Sequence, residues 1–320
     1  MKKCVLAFVF FFLVQPAYCW GFYAHKLINQ YAVYLLPPEM MVLYKPNIEF
    51  ITEHAVDPDK RRYAVKEEGP RHYIDLDHYK PWDSIPLQYN KAIEKYSDDS
   101  LQKHGIGPWW IQTMMSRLTR AFSEKDKFRI IKLSAELGHY VADLHVPLHA
   151  HSNHNGQYTN QQGIHGFWES RIPELLAEKE FDFVIGKAAY INSISALVWN
   201  AARQSAAAAD TVLSRERSLS LSFRPDQKYS FELRNGIVVR QYSTAFCLAY
   251  HDQLNGMVER RMRQSIQAIA SLWYTAWVNA GQPDLSGLSN KAFSDIELKE
   301  WEELNAPLPA STINGRSCTN

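Results

Sequence analysis

Two histidine–carboxylate pairs repeat the same spacing in the middle of the chain. His139 and Asp143 are four residues apart, and so are His165 and Glu169. Residues four apart lie on one face of an α-helix, so each pair can present an imidazole nitrogen and a carboxylate oxygen together. Zinc binds these atoms at about 2.0–2.2 Å. The spacing therefore favours a metal site over a scatter of surface histidines.

Other residues of the same chemical types accompany the two pairs. His149 follows just beyond Pro147, where the first helix should end, and His25, Asp57 and His72 lie upstream. A single histidine–carboxylate pair would be weak evidence, because such pairs are common on helix surfaces. Two pairs and a further histidine within one short window form a more specific metal-binding pattern.

The segment His139–Asn153 resembles the signature of bacterial zinc-dependent phospholipases C. It departs from that signature at Ala142, where the signature has Gly or Thr, and at His151, where it has Pro or Ala. The chain is also similar to fungal and plant single-strand-specific nucleases, which share the fold and most of the ligands. The resemblance runs from Trp20 to about Glu169, and more loosely to a helix ending near Gly281.

The resemblance implies a cluster of three zinc ions. It assigns as ligands Asp57, His72, His139 and Asp143 to the first ion, His149, His165 and Glu169 to the second, and His25, Asp143 and the α-amino nitrogen and carbonyl oxygen of Trp20 to the third. Asp57 and Asp143 are expected to serve in catalysis as well as in metal binding. Asp59 lies two residues from Asp57 and could take its place.

This cluster predicts hydrolysis of a phosphodiester. Three zinc ions and three carboxylates leave a net positive charge, which stabilises the negative charge that grows on phosphate oxygens during attack. Zinc also lowers the pKa of bound water to about 7, so a zinc-bound hydroxide is expected as the nucleophile. The chain has no Gly-x-Ser-x-Gly, His-Glu-x-x-His, Walker or dinucleotide-binding motif.

Three functions fit the ligands to different degrees. The first is phospholipase C-type cleavage of phospholipids, with transient contact with a membrane surface; Glu169 favours it, because the nucleases usually carry Asp there. The second is a single-strand nuclease or 3′-nucleotidase acting on single-stranded nucleic acid. The third is a zinc-binding protein without turnover, which the complete ligand set makes the least favoured.

The first nineteen residues are typical of a signal peptide. Lys2 and Lys3 precede an apolar run from Cys4 to Val14, which is too short to span a bilayer. We expect cleavage before Trp20 and export to a periplasm or outside the cell. Loss of the two lysines changes the formal charge from +1 to −1, which is not the balance of a strongly basic nucleic-acid-binding protein.

Apolar residues recur at helical spacing through most of the chain. The segments are Leu27–Leu36, Trp110–Phe122, Phe128–Leu148, Ile191–Val212 and a long stretch from Phe246 to Val278. Asp126 and Pro147 are start and stop signals for the third of these. The one strand-like segment, Tyr229–Val239 around Asn235-Gly236, predicts a hairpin. We therefore expect an all-α fold: a single-domain helical bundle with long core helices and a trinuclear zinc cleft.

The expected organisation is a signal peptide at 1–19, a phosphoesterase domain at 20–281 and a C-terminal tail at 282–320. No repeat or linker divides the chain. Cys247 and Cys318 are the cysteines that remain after cleavage, and either a disulfide or two free thiols is compatible with export.

The segment around Asp75, Asp77 and His78 allows two interpretations. These side chains can orient a ligating imidazole from outside the metal centre. They can equally belong to a solvated loop. His104 is expected to be a structural or surface residue.

Overall fold

The computed structural model describes residues 21–62, 64–234, 236–289 and 291–305. The predicted signal peptide, Trp20, Asn235 and Cys318 lie outside the described residues. The α-helices are α1 (Phe22–Tyr34), α2 (Pro38–Tyr44), α3 (Ile48–Glu53), α4 (Asp57–Arg61), α5 (Tyr89–Tyr96), α6 (Asp98–His104), α7 (Gly107–Ser123), α8 (Lys127–Leu144), α9 (Ile164–Gly166), α10 (Ile172–Glu180), α11 (Ile194–Ser222), α12 (Pro225–Lys228), α13 (Thr244–Gln253), α14 (Met257–Asn279), α15 (Ser286–Ser289) and α16 (Asp295–Asn305).

Shorter turns connect these helices. They are 3-10 turns at Lys45–Asn47, His54–Val56, Gly69–His72, Leu76–His78, Trp82–Ser84 and Pro147–Ala150, and a π-helical turn at Phe167–Arg171. With two short strands beside so many helices, the all-α prediction is confirmed.

Helix α8 lies at the centre of the core. Asp126 caps its first turn by accepting a hydrogen bond from the backbone N–H of Arg129 at 3.0 Å, and the helix ends at Leu144, ahead of Pro147. The two sequence signals are therefore found at its ends. Every residue of α8 from Ser134 onward is buried. Helices α1, α7 and α14 pack around it, so polar side chains on α8 must find partners inside the protein.

Helix α1 approaches α8 very closely at Gly138. A Cβ atom at this position would lie 2.0 Å from Oδ1 of Asn29. The amide of Asn29 in turn donates a hydrogen bond to the carbonyl oxygen of Ala135 at 3.0 Å. Glycine is required here because no larger residue leaves room for the Asn29 side chain. The contact fixes how α1 lies against the following turn of α8.

The long apolar stretch Phe246–Val278 forms two helices, α13 and α14. Asn255 and Gly256 between them have φ angles of +48° and +68°. Left-handed residues end an α-helix, and glycine and asparagine adopt that conformation at the lowest cost. Helical periodicity continues across the break, which is why the spacing alone did not reveal it. Arg261 on α14 donates to the carbonyl oxygen of His145 at 2.8 Å and so holds the end of α8.

The predicted hairpin is present as β1 (Tyr229–Arg234) and β2 (Ile237–Tyr242). The strands are antiparallel, with Tyr229 opposite Tyr242, and Gly236 in the turn has a φ of +80°. The ring of Tyr242 stacks on Phe167 at 3.9 Å between centroids. The base of the hairpin is therefore anchored on the π-helical turn.

The described part of the C-terminal region folds back onto the domain. Trp301 of α16 is buried, and α16 packs against α4. The expected domain bounds of 20–281 remain a prediction. Helices with the length and apolar character that a bilayer crossing requires are absent from the described residues.

Candidate metal centre

Eight histidine and carboxylate side chains converge in the interior from separate segments. They are His25 of α1, Asp59 of α4, His72 and His149 of two 3-10 turns, His139 and Asp143 of α8, His165 of α9, and Glu169 of the π-helical turn. Each is at most 4 % exposed. Burial of so many ionisable groups together is costly unless they pair with each other or with metal ions.

Asp143 lies at the centre of this arrangement. Its Oδ1 atom is 3.3 Å from Nε2 of His25 and 3.9 Å from Nε2 of His149. Its Oδ2 atom is 2.8 Å from Nδ1 of His72 and 3.2 Å from Nε2 of His139. One carboxylate thus faces four imidazoles through its two oxygens, which is the geometry of a bridging ligand.

A second group consists of His149, His165 and Glu169. The two Nε2 atoms are 3.1 Å apart, and Oε2 of Glu169 is 3.0 Å from Nε2 of His165 and 3.5 Å from Nε2 of His149. Nδ1 of His149 donates to the carbonyl oxygen of His72 at 2.6 Å, and Nδ1 of His165 donates to that of His154 at 3.0 Å. In the neutral rings, both Nε2 atoms therefore carry lone pairs. A cation between them and the carboxylate satisfies all three.

The same argument holds for His139. Its Nδ1 donates to the carbonyl oxygen of Ala55 at 2.8 Å, which leaves the Nε2 lone pair directed at the carboxylate of Asp143. The ring of His25 stacks on that of His139 with centroids 3.9 Å apart. These contacts bring candidate ligands from α1 and α8 together at one place.

The turn that carries Glu169 is wider than an ordinary α-helix. The His165/Glu169 spacing suggested an α-helix, whereas the structure has a short α9 followed by a π-helical turn. Pro173 follows, and it has no N–H to donate to the carbonyl of Glu169 four residues earlier. Single π-helical turns occur frequently at functional sites. The side chains of the pair still meet.

Asp57 belongs to none of the candidate metal-binding groups among the described residues. Its carboxylate accepts hydrogen bonds from Nδ1 of His54 at 2.7 Å, Nζ of Lys60 at 2.9 Å and Nε1 of Trp301 at 2.9 Å. Burial alone would raise the pKa of Asp57, but His54 and Lys60 outweigh it and lower the pKa below its ordinary value. These contacts tie α4 to its own turn and to α16.

Asp59 faces the cluster instead. Its Oδ1 atom is 3.7 Å from Nε2 of His139 and 3.8 Å from Nδ1 of His72. Neither of its oxygens accepts a hydrogen bond from any described residue, although the side chain is buried. Arg62 approaches only to 3.7 Å. A buried carboxylate that accepts no hydrogen bond is costly in water-free surroundings, and a metal ion is the partner that its position allows.

Glu68 is a residue that the sequence reasoning missed. Its Oε1 atom lies 3.6 Å from Nε2 of His72, and it also accepts hydrogen bonds from the hydroxyl of Tyr140 and from Arg71. Burial would raise the pKa of Glu68, but His72, Arg61 and Arg71 hold it well below its usual range. A carboxylate behind a ligating imidazole orients the ring. The signal was available, because Glu68 and His72 are also four residues apart.

The protonation behaviour of the cluster reflects its burial and its charges. Burial raises the pKa of Glu169 to about 7. Burial and the neighbouring His139 lower the pKa of His25 to about 4. For His139 the carboxylates of Asp143 and Asp59 outweigh burial and raise the pKa to about 9. Bound zinc would replace such protons, since it takes the same lone pairs.

The residues present fit zinc. Imidazole nitrogens and carboxylate oxygens are its usual donors, and here their tautomers are set by carbonyl acceptors. Gly21, the first described residue, also lies close to the cluster. A Cβ on Gly21 would be 2.9 Å from Cβ of Ser170, the residue after Glu169. Trp20, the predicted terminal ligand, is outside the described residues.

Comparison with known proteins agrees with this chemistry. A family model described as zinc-dependent phospholipase C matches residues 24–223, more than half of the chain. That range includes all the candidate ligand residues between His25 and Glu169, and it ends before the hairpin. A search of the curated proteins gave no match. Proteins of the matched family are zinc-dependent hydrolases. The chain therefore belongs to the zinc-dependent phospholipase C family.

Proposed function

We propose that this protein is an exported hydrolase that cleaves phospholipids in the manner of a phospholipase C with three bound zinc ions. The observation that carries the proposal is the position of Asp143, whose two oxygens face His25 on one side and His72 and His139 on the other. One bridging carboxylate can thus serve two metal ions, while a separate histidine–carboxylate group takes the third.

The proposed ligands differ from the sequence assignment at one position. They are Asp59, His72, His139 and Asp143 for the first ion, His149, His165 and Glu169 for the second, and His25, Asp143 and the terminal nitrogen and carbonyl oxygen of Trp20 for the third. Asp59 replaces Asp57 because Asp57 is held by three donors on the other side of α4.

Bound zinc would polarise a phosphate oxygen and lower the pKa of a water molecule. The chain's own residues keep the donor atoms in place for this chemistry. The carbonyl oxygens of Ala55 and His72 hold Nδ1 of His139 and His149, and Glu68 faces Nε2 of His72. The ligand lone pairs therefore point inward without rearrangement on binding, which keeps the reorganisation cost of catalysis low.

The charges of the centre suit an anionic substrate. Asp59, Asp143 and Glu169 supply three negative charges, whereas three zinc ions supply six positive ones. The remaining positive charge attracts a phosphodiester and stabilises further negative charge as a nucleophile adds to phosphorus.

The hairpin supports a lipid substrate over a nucleic acid. Phe231 and Leu233 are each 73 % exposed and Val238 is 65 % exposed. Phe231 and Leu233 are two residues apart, and Val238 is the cross-strand partner of Leu233, so the three side chains share one face. Arg240, opposite Phe231, adds a basic group to that face. Apolar side chains with a basic neighbour suit the interface of a phospholipid surface.

A surface cavity connects the hairpin with the metal-ligand segment. It is lined by Ser170, which follows Glu169, and by Tyr229, Arg240 and Tyr242 of the hairpin. A lipid held at the hairpin would thus lie beside the turn that supplies a zinc ligand. This continuity supports phospholipase activity at a membrane surface.

The test uses protein that begins at Trp20 and three substrates: phosphatidylcholine vesicles, single-stranded DNA and a 3′-nucleotide. We expect release of phosphocholine from vesicles that stops when a chelator is added and returns with zinc. Hydrolysis of the DNA or the 3′-nucleotide alone would overturn the lipid assignment in favour of the nuclease alternative. Zinc binding without hydrolysis of any substrate would favour a non-catalytic protein. Asp59→Asn is the matched inactive control.

A further inference from the structure

A second group of metal-binding side chains lies outside the proposed trinuclear centre. One ligand atom each from Asp75, His78 and His104 lies within 4.8 Å of the others. Asp75 is buried, His104 is half-buried and His78 is exposed. The group therefore opens to solvent on one side, where an ion can enter and keep a water molecule.

Backbone contacts hold the three residues together. The N–H of Asp75 donates to the carbonyl oxygen of His104 at 2.8 Å, and the N–H of His78 donates to that of Asp75 at 3.0 Å. Gly105, which follows His104, has a φ of +89°, and a Cβ there would lie 2.2 Å from the carbonyl oxygen of Tyr73. The end of α6 is thus fixed against the turn that carries the other two ligands.

The separation of the Asp75 and His104 ligand atoms fits a tetrahedral ion. Nδ1 of His104 is 3.4 Å from Oδ2 of Asp75, at the long limit for a hydrogen bond. Two ligands bound to zinc at 2.0–2.1 Å in a tetrahedron are about 3.3 Å apart. The rings of His78 and His104 lie 4.0 Å apart between centroids.

We propose that Asp75, His78 and His104 bind one further zinc ion or similar divalent transition metal. Three protein ligands leave one tetrahedral position for water. The ion would cross-link the end of α6 to the turn Leu76–His78. This metal site does not depend on which substrate the protein hydrolyses. In this site His104 is a metal ligand, whereas the sequence suggested a structural or surface residue.

The proposed site is coupled to the trinuclear centre through the backbone. The N–H of Ile74 donates to the carbonyl oxygen of His149 at 2.9 Å, and Asp77 accepts a hydrogen bond from the N–H of Ser152 at 3.0 Å. The segment between Asp75 and His78 is therefore bonded to the segment that supplies His149. Metal bound at the site formed by Asp75, His78 and His104, called the outer site below, would restrain that segment. It would also stabilise the folded protein by mass action.

The experiment counts zinc in the full mature protein. Wild type and the variants His78→Gln, His104→Gln and His78→Gln/His104→Gln are equilibrated at several buffered zinc concentrations, and bound zinc is measured by mass spectrometry of the metal. His251→Gln is the matched control, since His251 is partly exposed and belongs to neither group. Far-ultraviolet circular dichroism checks folding, and His78→Gln alters an exposed side chain that can be replaced without disturbing the core.

We expect the double variant to bind one zinc fewer than wild type, and the His251 variant to match wild type. Asp59→Asn should keep the outer ion, which separates this site from the trinuclear centre. Cobalt added to the outer site should give visible absorption that the His78 variant lacks. Equal zinc content in wild type and in both the single and double variants at every zinc concentration would overturn the proposal.

Discussion

Nε2 of His25 lies 3.3 Å from Oδ1 of Asp143, although the two residues belong to different helices. The opposite oxygen of Asp143 faces His72 and His139. A single carboxylate therefore joins helix α1 to the other candidate ligands His72 and His139. Any change in the packing of α1 on α8 should reach the metal centre through this contact.

The two neighbouring aspartates of α4 should behave differently when neutralised. Asp59→Asn should lower zinc affinity, because it removes a charged oxygen that faces His139 and His72. Loss of a residue that only supports a ligand costs roughly 10- to 100-fold in metal affinity, and loss of the ligand itself should cost at least as much. Asp57→Asn should keep the full zinc content and lose thermal stability, because Asp57 bonds Lys60 and Trp301. Zinc content and melting temperature are measured for both. Loss of zinc from the Asp57 variant only would reverse the assignment.

The terminal amine of Trp20 should be required for the third zinc. In the precursor this nitrogen is an amide and cannot bind a metal, whereas a free α-amine has a pKa of about 7.7–8.0. We expect a variant with one alanine added before Trp20 to bind one zinc fewer and to lose activity. Trp20→Phe is the control, since it keeps the amine and the carbonyl. Amino-terminal sequencing checks the predicted cleavage site, and full zinc content in the extended variant would refute this ligand.

Gly138→Ala should destabilise the protein and weaken its zinc binding. The new methyl group would lie 2.0 Å from Oδ1 of Asn29, so either the buried Asn29 amide must leave its hydrogen bond to Ala135 or α1, which carries His25, must move away from α8. Overpacking of this kind costs about 1–3 kcal/mol. Gly287→Ala is the matched control, because its Cβ would meet no atom within 4 Å. Chemical denaturation and zinc titration are the measurements, and equal behaviour of the two variants would contradict the role of Gly138.

Zinc affinity should increase between pH 7 and pH 9. In the metal-free protein the carboxylates of Asp143 and Asp59 outweigh burial and raise the pKa of His139 to about 9, above the value of about 6.5 in an unfolded chain. A raised pKa contributes stability that is present below pH 6.5 and is lost as the pH rises through 9. The melting temperature of the metal-free protein should therefore fall as the pH rises from 7 to 9. Zinc affinity should rise over the same range, because fewer protons compete with zinc for His139.

Zinc titrations at pH 7, 8 and 9 check this dependence, together with melting curves of the metal-free protein. His139→Gln is the comparison, because it cannot hold the proton and its melting temperature should change less with pH. Zinc affinity in wild type that does not change over the range would show that no proton is displaced.

The exposed face of the hairpin should matter for vesicles and not for a soluble substrate. Phe231→Ser/Leu233→Ser removes two apolar side chains that each stabilise membrane contact by about 1.5–3 kcal/mol when buried. We expect at least about a tenfold loss of hydrolysis on vesicles and unchanged hydrolysis of a short-chain monomeric phospholipid. Val184→Ser is the control, since Val184 is 83 % exposed outside the hairpin. Equal losses on both substrates would place these residues in the active site or in folding instead.

The sequence predicted those features of the structure that depend on contacts between neighbouring residues. Asp126 begins α8 by bonding the N–H of Arg129, and Gly236 permits the hairpin turn with a positive φ. His165 and Glu169 meet because they are one turn apart, even though that turn is π-helical. The break between α13 and α14 was missed, since apolar periodicity continues through Asn255 while the backbone there reverses to the left-handed region.

The amino-acid order alone determined the helical class, the hairpin and the residue types that identify a zinc-dependent hydrolase, because periodicity and side-chain chemistry are properties of short segments. Only the tertiary structure decided that Asp59 faces the cluster while Asp57 bonds Trp301, and that Glu68 supports His72. Those outcomes depend on how α4, α8 and α16 pack, and packing is set by contacts between segments far apart in the chain, such as Gly138 against Asn29.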